Sequence, residues 1–474
     1  MSKKFYFNAF EMNCPVHQSP GLWAHPKDRA WQYKDLEYWT DLAKILEEGI
    51  FSAIFIADTI GYYDVYKGNV SPAIKEAVQI PLNDPLQIAA PVAQATKHIG
   101  IGVTASTTFE HPYTFARRIA TADHYTKGRV GWNVVTSQFD SGARNIGKAR
   151  LPEHDLRYEI ADEYLEVIYK LLEGSWEDDA VVRDREKRIF ADPDKVHEIG
   201  HKGKYFEVPG IGLTEPSPQR TPVLFQAGTS ETGKEFSAKH AEAVFISTSK
   251  KQELKEYVAD IRKRVADNGR EKILVFALIT IVVDETDEKA YSKLEEYQSY
   301  ISTEGALTLL SGWTGFDLSH YKLSDSADNI KINVDASSSF ANALTHDSGT
   351  IQDIAKWVGI GGPGPAFVGS AKKVADELQE WVKDTDVDGF NISYVVAHET
   401  FKDIVKYLVP ELQRRGVYPT SYNEGTLREK LFGYSKLPDT HPAAKYRDIE
   451  KVKKEEAKQQ RFEADLKNLT AVHP

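Results

Sequence analysis

Cysteine is nearly absent from this sequence, Cys14 being the only one. No disulfide can form within the chain, and no site built on several thiolates, zinc or iron–sulfur, is open to it. Basic residues are also in deficit: 59 Lys and Arg stand against 70 Asp and Glu, a net charge of −11. That balance argues against a broad phosphate-binding face, so nucleic acid is not an expected partner. No apolar run approaches the ~20 residues of a membrane span. Near the start, two lysines precede only the semi-apolar run Phe5–Phe10, too short for the core of a secretion signal. The expectation is a protein that begins near residue 1 and works in the reducing cytoplasm, away from membranes. What is plentiful is ordinary globular material: 474 residues, 41% of them hydrophobic, enough for a large core.

Short β-rich runs alternate with longer helical patterns, as in βα units around a parallel sheet. Strands are expected at 5–10, 51–57, 99–104, 129–135, 222–227, 243–247, 273–283 and 388–394. Helices are expected near 35–48, 85–97, 113–126, 155–173, 231–240, 250–268, 370–383 and 398–415. Eight strands, each followed by a helix, predict a closed (β/α)8 TIM barrel rather than an open sheet. Two stretches interrupt the alternation, 174–221 and about 300–366. They read as insertions in a barrel spanning 1–416, the second being the better lid candidate. Residues 417–474 read as a polar C-terminal extension. Within it, the charged stretch 446–467 reads as a solvated or frayed tail helix.

Gly359-Ile-Gly-Gly-Pro-Gly364 matches the dinucleotide pattern formally. It follows a helical segment and precedes a short strand, the reverse of what a pyrophosphate cradle needs, and a mobile loop is the better reading. Asn391-Ile-Ser393 is formally a glycosylation sequon, discounted because it lies on the last barrel strand. No histidine pair falls in a helical pattern and no P-loop lysine pattern occurs, so a metal site is not expected.

In a TIM barrel the chemistry sits where strands end. Phe10 ends strand 1 and Asn13, Cys14 and His17 follow it, Asp58, Tyr63 and Gln79 follow strand 2, and Thr104 and Ser106 end strand 3. Asn133, Thr136 and Ser137 end strand 4, and Gln226-Ala-Gly228-Thr229-Ser230 ends strand 5. Gly228-Thr-Ser230 ahead of a helical pattern offers a tight turn, hydroxyls and a helix N-terminus, which suit a phosphate or, more plainly, an N-cap at Ser230. His154 and Tyr158, four apart on one helix face, would join that turn. A phosphate cradle, polar groups along a chain and small residues against a ring are the parts a flavin site needs.

These residues lie in segments that carry a resemblance. Arg129-Val-Gly-Trp-Asn-Val-Val-Thr-Ser137, Glu153-His-Asp-Leu-Arg-Tyr158, Ala161-Asp-Glu-Tyr-Leu-Glu-Val167, Ala191-Asp-Pro-Asp-Lys-Val-His197 and Gln226-Ala-Gly228 resemble the luciferase-like FMN-dependent monooxygenases, in the nitrilotriacetate and dibenzothiophene-sulfone branch. Asn8-Ala-Phe-Glu-Met-Asn-Cys14, Glu76-Ala-Val-Gln-Ile80, Asn83-Asp-Pro85, Gly203-Lys-Tyr-Phe-Glu-Val-Pro209 and Glu424-Gly-Thr-Leu-Arg-Glu-Lys-Leu-Phe-Gly433 look most like its alkane-oxidising members. The resemblance implies that reduced FMN binds at the strand ends among Asp58, Thr104, His154, Tyr158, Thr229 and Ser230, with Ser106, Ser137 and Gly228 on the same wall. It implies that Asn133 faces the reactive edge of the ring, and that Cys14, His17, Tyr63 and Gln79 border the substrate beside Phe10. His17, Tyr63, Gln79 and Asn133 are the catalytic candidates. His17 reads equally as a proton donor or a hydrogen-bonded loop histidine, and Cys14 as a packing residue rather than a nucleophile. Two pocket positions that are histidines in the alkane-oxidising members are Gln138 and Ser311 here. Neither titrates near neutral pH, so no acid–base step falls to them.

The expected function is that of a two-component monooxygenase. A separate NAD(P)H:flavin reductase supplies reduced FMN, and this chain, as a homodimer or homotetramer, uses it with O2 on a small, largely apolar substrate: alkane-like, organosulfur or amine. The alternatives are a deazaflavin-dependent oxidoreductase of the same fold and a barrel that binds a ligand without catalysis.

Overall fold

A computed structural model describes residues 3–326 and 349–458. Eight strands form its centre: β1 Tyr6–Met12, β2 Ala53–Ala57, β3 Gly100–Ser106, β4 Val130–Val135, β5 Val223–Gln226, β6 Ala243–Ile246, β7 Leu274–Asp284 and β8 Gly389–Ser393. Each pairs in parallel with its neighbour, and β8 pairs with both β7 and β1, so the sheet closes on itself. All eight expected strands are present, each end within two residues of its expected position. β7 shows why they read clearly. Ten of its eleven residues are buried, because a strand in a closed parallel barrel is covered on both faces, by the lumen and by the helices.

The outer layer includes α1 Leu36–Glu48, α2 Ala89–Ala95, α3 Pro112–Thr126, α4 His154–Tyr169, α5 Glu231–His240, α6 Lys251–Asp267 and α7 Asp287–Ser299. It continues with α8 Thr303–Thr314, α9 Ile351–Val358, α10 Ala371–Thr385 and α11 Glu399–Asp403, which runs on through a π turn to Arg414. Several starts are fixed by side-chain caps: Ser230, Thr286, Ser302 and Ser370 each accept a backbone N–H from the first turn. Among the described residues no helix is long and apolar enough to cross a membrane.

The segment 174–221 forms two small hairpins, Val181–Asp184 with Ile189–Ala191 and His201–Lys202 with Glu207–Val208. In the second insertion, α8 and α9 pack together with the loop after β2. Part of the expected lid, 327–348, lies outside the described residues. Between α9 and the strand Ala366–Ser370, Gly359–Gly364 forms a buried loop in the helix–loop–strand order expected. A Cβ at Gly361 would meet the Thr280 hydroxyl at 2.0 Å, and one at Gly362 the Gln18 amide at 2.1 Å, so these glycines are needed for close packing.

The stretch beyond Gly416, expected as a polar extension, reaches deep into the molecule. Leu427, Leu431 and Phe432 join Phe55, Phe225, Phe245 and Phe276 in the lumen and floor the barrel at its N-terminal end. Beside them Arg428, wholly buried, donates through Nε and Nη2 to both carboxylate oxygens of buried Glu242 (2.8 and 2.9 Å), through Nη1 to the Gln219 carbonyl and through Nη2 to the Thr221 carbonyl. Further on, Tyr446, Ile449 and Val452 are buried against the main core, and Glu456 pairs with the buried Lys170 at 2.7 Å. The start of the charged tail is therefore docked. Its spacing is apolar every third residue, a weak signal against so many charges. Residues 459–474 of that tail lie outside the described part.

Removing one member of a desolvated ion pair strands the other charge in the interior. Arg428→Ala is expected to lower unfolding stability by about 3–5 kcal/mol in urea titrations, and the Arg428→Met/Glu242→Leu double variant to recover much of the loss.

Candidate active site

A cavity of about 620 Å³ opens at the C-terminal ends of the strands, within the ~300–1,000 Å³ range of cofactor and small-molecule sites. Its floor is aromatic. Phe10, Phe55 and Phe245 line it, with Phe55 and Phe245 ring centroids 4.1 Å apart.

At one end, the N-termini of α4 and α5 converge. Ser230 caps α5 by accepting the Gly233 N–H at 3.1 Å, and its hydroxyl lies 3.3 Å from Nε2 of His154, the first residue of α4. The Tyr158 ring packs edge-on against His154, and its burial pushes the phenol pKa up, so it stays a neutral hydroxyl. A Cβ at Gly228 would come within 2.7 Å of the Gln226 amide, and one at Gly233 within 2.9 Å of both the Tyr158 and Ser230 hydroxyls. Glycine at both positions lets Gln226, Tyr158 and Ser230 close in around the N-terminus of α5, where the dipole favours an anion. Arg157 lines the cavity here and donates to the Ser137 carbonyl. It is the only Lys or Arg among the described residues lining the cavity. Arg157 and Gly233 were not singled out from sequence. Arg157 sits inside the quoted Glu153–Tyr158 segment, and Gly233 is a glycine in the first turn of a helix, which costs stability without a reason.

Along the wall toward β2 come Gln226, Thr136 and the paired hydroxyls of Ser106 and Ser137, 2.6 Å apart. Asn133 donates through Nδ2 to the Thr104 hydroxyl at 3.0 Å, and its buried Oδ1 has no partner among the described residues. Asp58 lines the next stretch. Burial, then the nearby Asp84 charge, raise its carboxyl to about 7, against a weaker opposing hydrogen bond from the Thr59 backbone.

His17, Tyr63 and Gln79 all line the cavity. Tyr63 is buried rather than on a loop surface. Its hydroxyl donates to Gln79 Oε1 (3.0 Å) and accepts from Trp313 Nε1 (3.0 Å), while Gln79 Nε2 donates to the His17 carbonyl (2.9 Å). This chain ties the loops after β1 and β2 to α8. Trp313, absent from the sequence-based set, caps the cavity from α8, and a stand-alone tryptophan in an insertion gave no periodic signal of it. Burial lowers the His17 imidazole to about 3. At neutral pH the ring is therefore uncharged. Cys14 and Ser311, placed in the pocket by resemblance, do not line it. The Cys14 thiol is buried against the Val16 carbonyl, and the Ser311 hydroxyl accepts the Leu318 N–H inside the insertion. Gln138 lines the cavity at its exposed rim.

A closed parallel barrel with a cofactor-sized cavity at its strand ends defines a (β/α)8 enzyme of the ligand-at-the-top class. Residues 9–388 match the luciferase-like monooxygenase family, and the chain belongs to it. Members of that family are flavin-dependent oxidoreductases. The chain is 51% identical over 453 residues to a long-chain alkane monooxygenase of Geobacillus thermodenitrificans (strain NG80-2), covering 95% of this chain and 99% of the relative. It is 48% identical to a dimethyl-sulfide monooxygenase of Hyphomicrobium sulfonivorans, covering 94% and 95%. The crystal structure of a riboflavin lyase with modified FMN and riboflavin aligns with a TM-score of 0.87 at 36% identity, over 94% of this chain and 100% of that one.

Because the Asp58 carboxyl titrates near 7 when folded and near 3.8 when unfolded, the folded chain binds the extra proton between those values. Its contribution is present below about pH 4 and lost as pH rises through 7. Asp58→Asn should therefore match the wild type in urea titrations at pH 4 and exceed it at pH 8, by up to ~4 kcal/mol.

Proposed function

We propose that this chain is the oxygenating component of a two-component monooxygenase, fed with reduced FMN by a separate NAD(P)H:flavin reductase and acting with O2 on a small, uncharged, largely apolar substrate. We place it in the cytoplasm as a homodimer or homotetramer. The observation that carries the reading is the pairing, in one cavity, of a glycine-walled anion cradle at Gly228–Gly233 with an unpartnered amide oxygen at Asn133. The first fits a terminal phosphate and the second a ring N–H, the two ends of an FMN molecule.

In this reading Ser230, Thr229, His154, Tyr158 and Arg157 hold the phosphate, and Gln226, Thr136, Ser137 and Ser106 face the ribityl chain. Asn133, oriented by Thr104, fixes the ring edge. Bound reduced FMN supplies the two electrons that place one atom of O2 in the product and the other in water. The protein provides position, dryness and proton control. Phe10, Phe55 and Phe245 below and Trp313 above exclude water. The Tyr63–Gln79 pair keeps the cap aligned with the β1 loop rather than titrating, since burial drives the Tyr63 phenol well above its ordinary range. Asp58, near its midpoint at neutral pH, is the group suited to holding and releasing a proton on the cavity wall. Away from the cradle no Lys or Arg lines the cavity among the described residues, so none of these would neutralise a polycarboxylate, and an uncharged substrate is favoured.

Ser230→Ala is expected to raise the Kd for FMN about 5- to 30-fold, the range of one charge-assisted hydrogen bond, while leaving that for riboflavin unchanged. Flavin fluorescence quenching measures both. A wild-type protein that binds neither redox form of FMN would sink the proposal.

A further inference from the structure

The groups that suit the flavin come from β2 through β5. The opposite wall comes from β6, β7, β8 and β1, and its chemistry differs. Strand register places Ile246 beside Ala277, Leu278 beside Asn391, and Asn391 beside Asn8. Ser247, Leu278, Asn391 and Asn8 therefore form one inward arc across consecutive strands. Ser393, two residues beyond Asn391, faces the same way one step nearer the rim, and Gln18 comes in from the loop after β1. Gln18, Ser247, Leu278 and Asn391 line the cavity directly.

The polar atoms of this arc are unmet. Gln18 Oε1, Ser247 Oγ, Asn391 Oδ1, Ser393 Oγ and Asn8 Nδ2 are all buried with no hydrogen-bond partner among the described residues. Asn8, Gln18 and Asn391 are each 2% exposed and Ser393 1%. Of these five residues Gln18, Ser247 and Asn391 line the cavity, while Asn8 and Ser393 do not. A barrel interior can be filled with apolar side chains, as the floor of this one is, so unmet polar atoms facing the cavity are a cost that a fold sustains where a ligand satisfies them. The Asn391-Ile-Ser393 sequence, formally a sequon, faces inward and is out of reach of glycosylation. Its i, i+2 spacing on a strand instead delivers two polar groups to one face. No member of the arc is charged, whereas Asp58, Glu153, Asp155 and Arg157 all lie on the other wall.

We propose that this arc is a hydrogen-bonding subsite for an uncharged polar group of the substrate, a hydroxyl or a carboxamide, carried on a small apolar body that rests on the phenylalanine floor. A group that both donates and accepts suits it, because Gln18 and Asn391 offer amide oxygens and Ser247 a hydroxyl. The inference rests on the monooxygenase reading and sharpens its substrate class.

The test is ligand-observed NMR on the FMN-loaded protein with three probes of similar size, butanamide, 1-butanol and n-pentane, alongside FMN affinity by fluorescence. The amide and the alcohol are expected to bind at least ~10-fold more tightly than pentane. Asn391→Leu and, as a milder change, Ser247→Ala are each expected to reduce that preference to about twofold or less, with the FMN Kd within twofold of wild type. Equal binding of the probes, binding of none, or an undiminished preference in both variants overturns the proposal. A tenfold weaker FMN Kd in Asn391→Leu also overturns it, by assigning the arc to the flavin. Failure of the wild type to bind FMN would instead remove the monooxygenase reading itself.

Discussion

Closure of the sheet is the constraint from which the rest follows. Once β8 hydrogen-bonds to β1, every inward side chain faces a lumen that must be filled or used, and no strand edge is left to end the barrel elsewhere. The lower half is filled, by phenylalanines from β2, β5, β6 and β7 and by the leucines of the C-terminal stretch. The upper half is left open and polar. The boundary is set by register, since Phe10, Phe55 and Gly102 stand side by side on β1, β2 and β3. A Cβ at Gly102 would come within 3.0 Å of the Phe55 ring, so the glycine admits the aromatic layer.

Above that layer the cavity is electrically lopsided. Charge is gathered around the meeting point of α4 and α5, while the polar groups on the wall from β6 to β1 are amides, hydroxyls and the neutral His17 ring. Burial keeps His17 neutral and brings Asp58 close to its midpoint. Low-dielectric surroundings thus take the charge off the group that looks titratable in sequence and bring a carboxyl, ordinarily ionised, into the neutral range.

The eight strands were legible because each is a buried apolar run bounded by turn residues, and most helices because their apolar periodicity is strong. The cradle was legible through Gly228, Ser230 and the 154/158 spacing. Other parts were hidden for physical reasons. Arg428 looks like one more surface charge until its partner 186 positions away is known. Leu427 and Leu431 lie in a stretch whose polar average conceals a two-leucine plug. Cys14 and Ser311 were placed by likeness to relatives, but each turns its polar atom toward the backbone, and side-chain direction in a loop or an insertion is not carried by residue type. The inward arc was visible only as a sequon that seemed accidental, since its members come from distant strands and meet only through register.

The C-terminal plug also bears on the order in which the molecule can be completed. All eight strands have been synthesised by Ser393, yet Leu427 and Arg428, which floor the barrel and neutralise Glu242, come later. On the ribosome a nascent chain therefore passes through a stage in which the ring of strands can form around an open end, with phenylalanines and an acidic side chain facing water. Only when the following segment leaves the exit tunnel and tucks underneath does that stage end, so a segment made after all eight strands acts as their stopper.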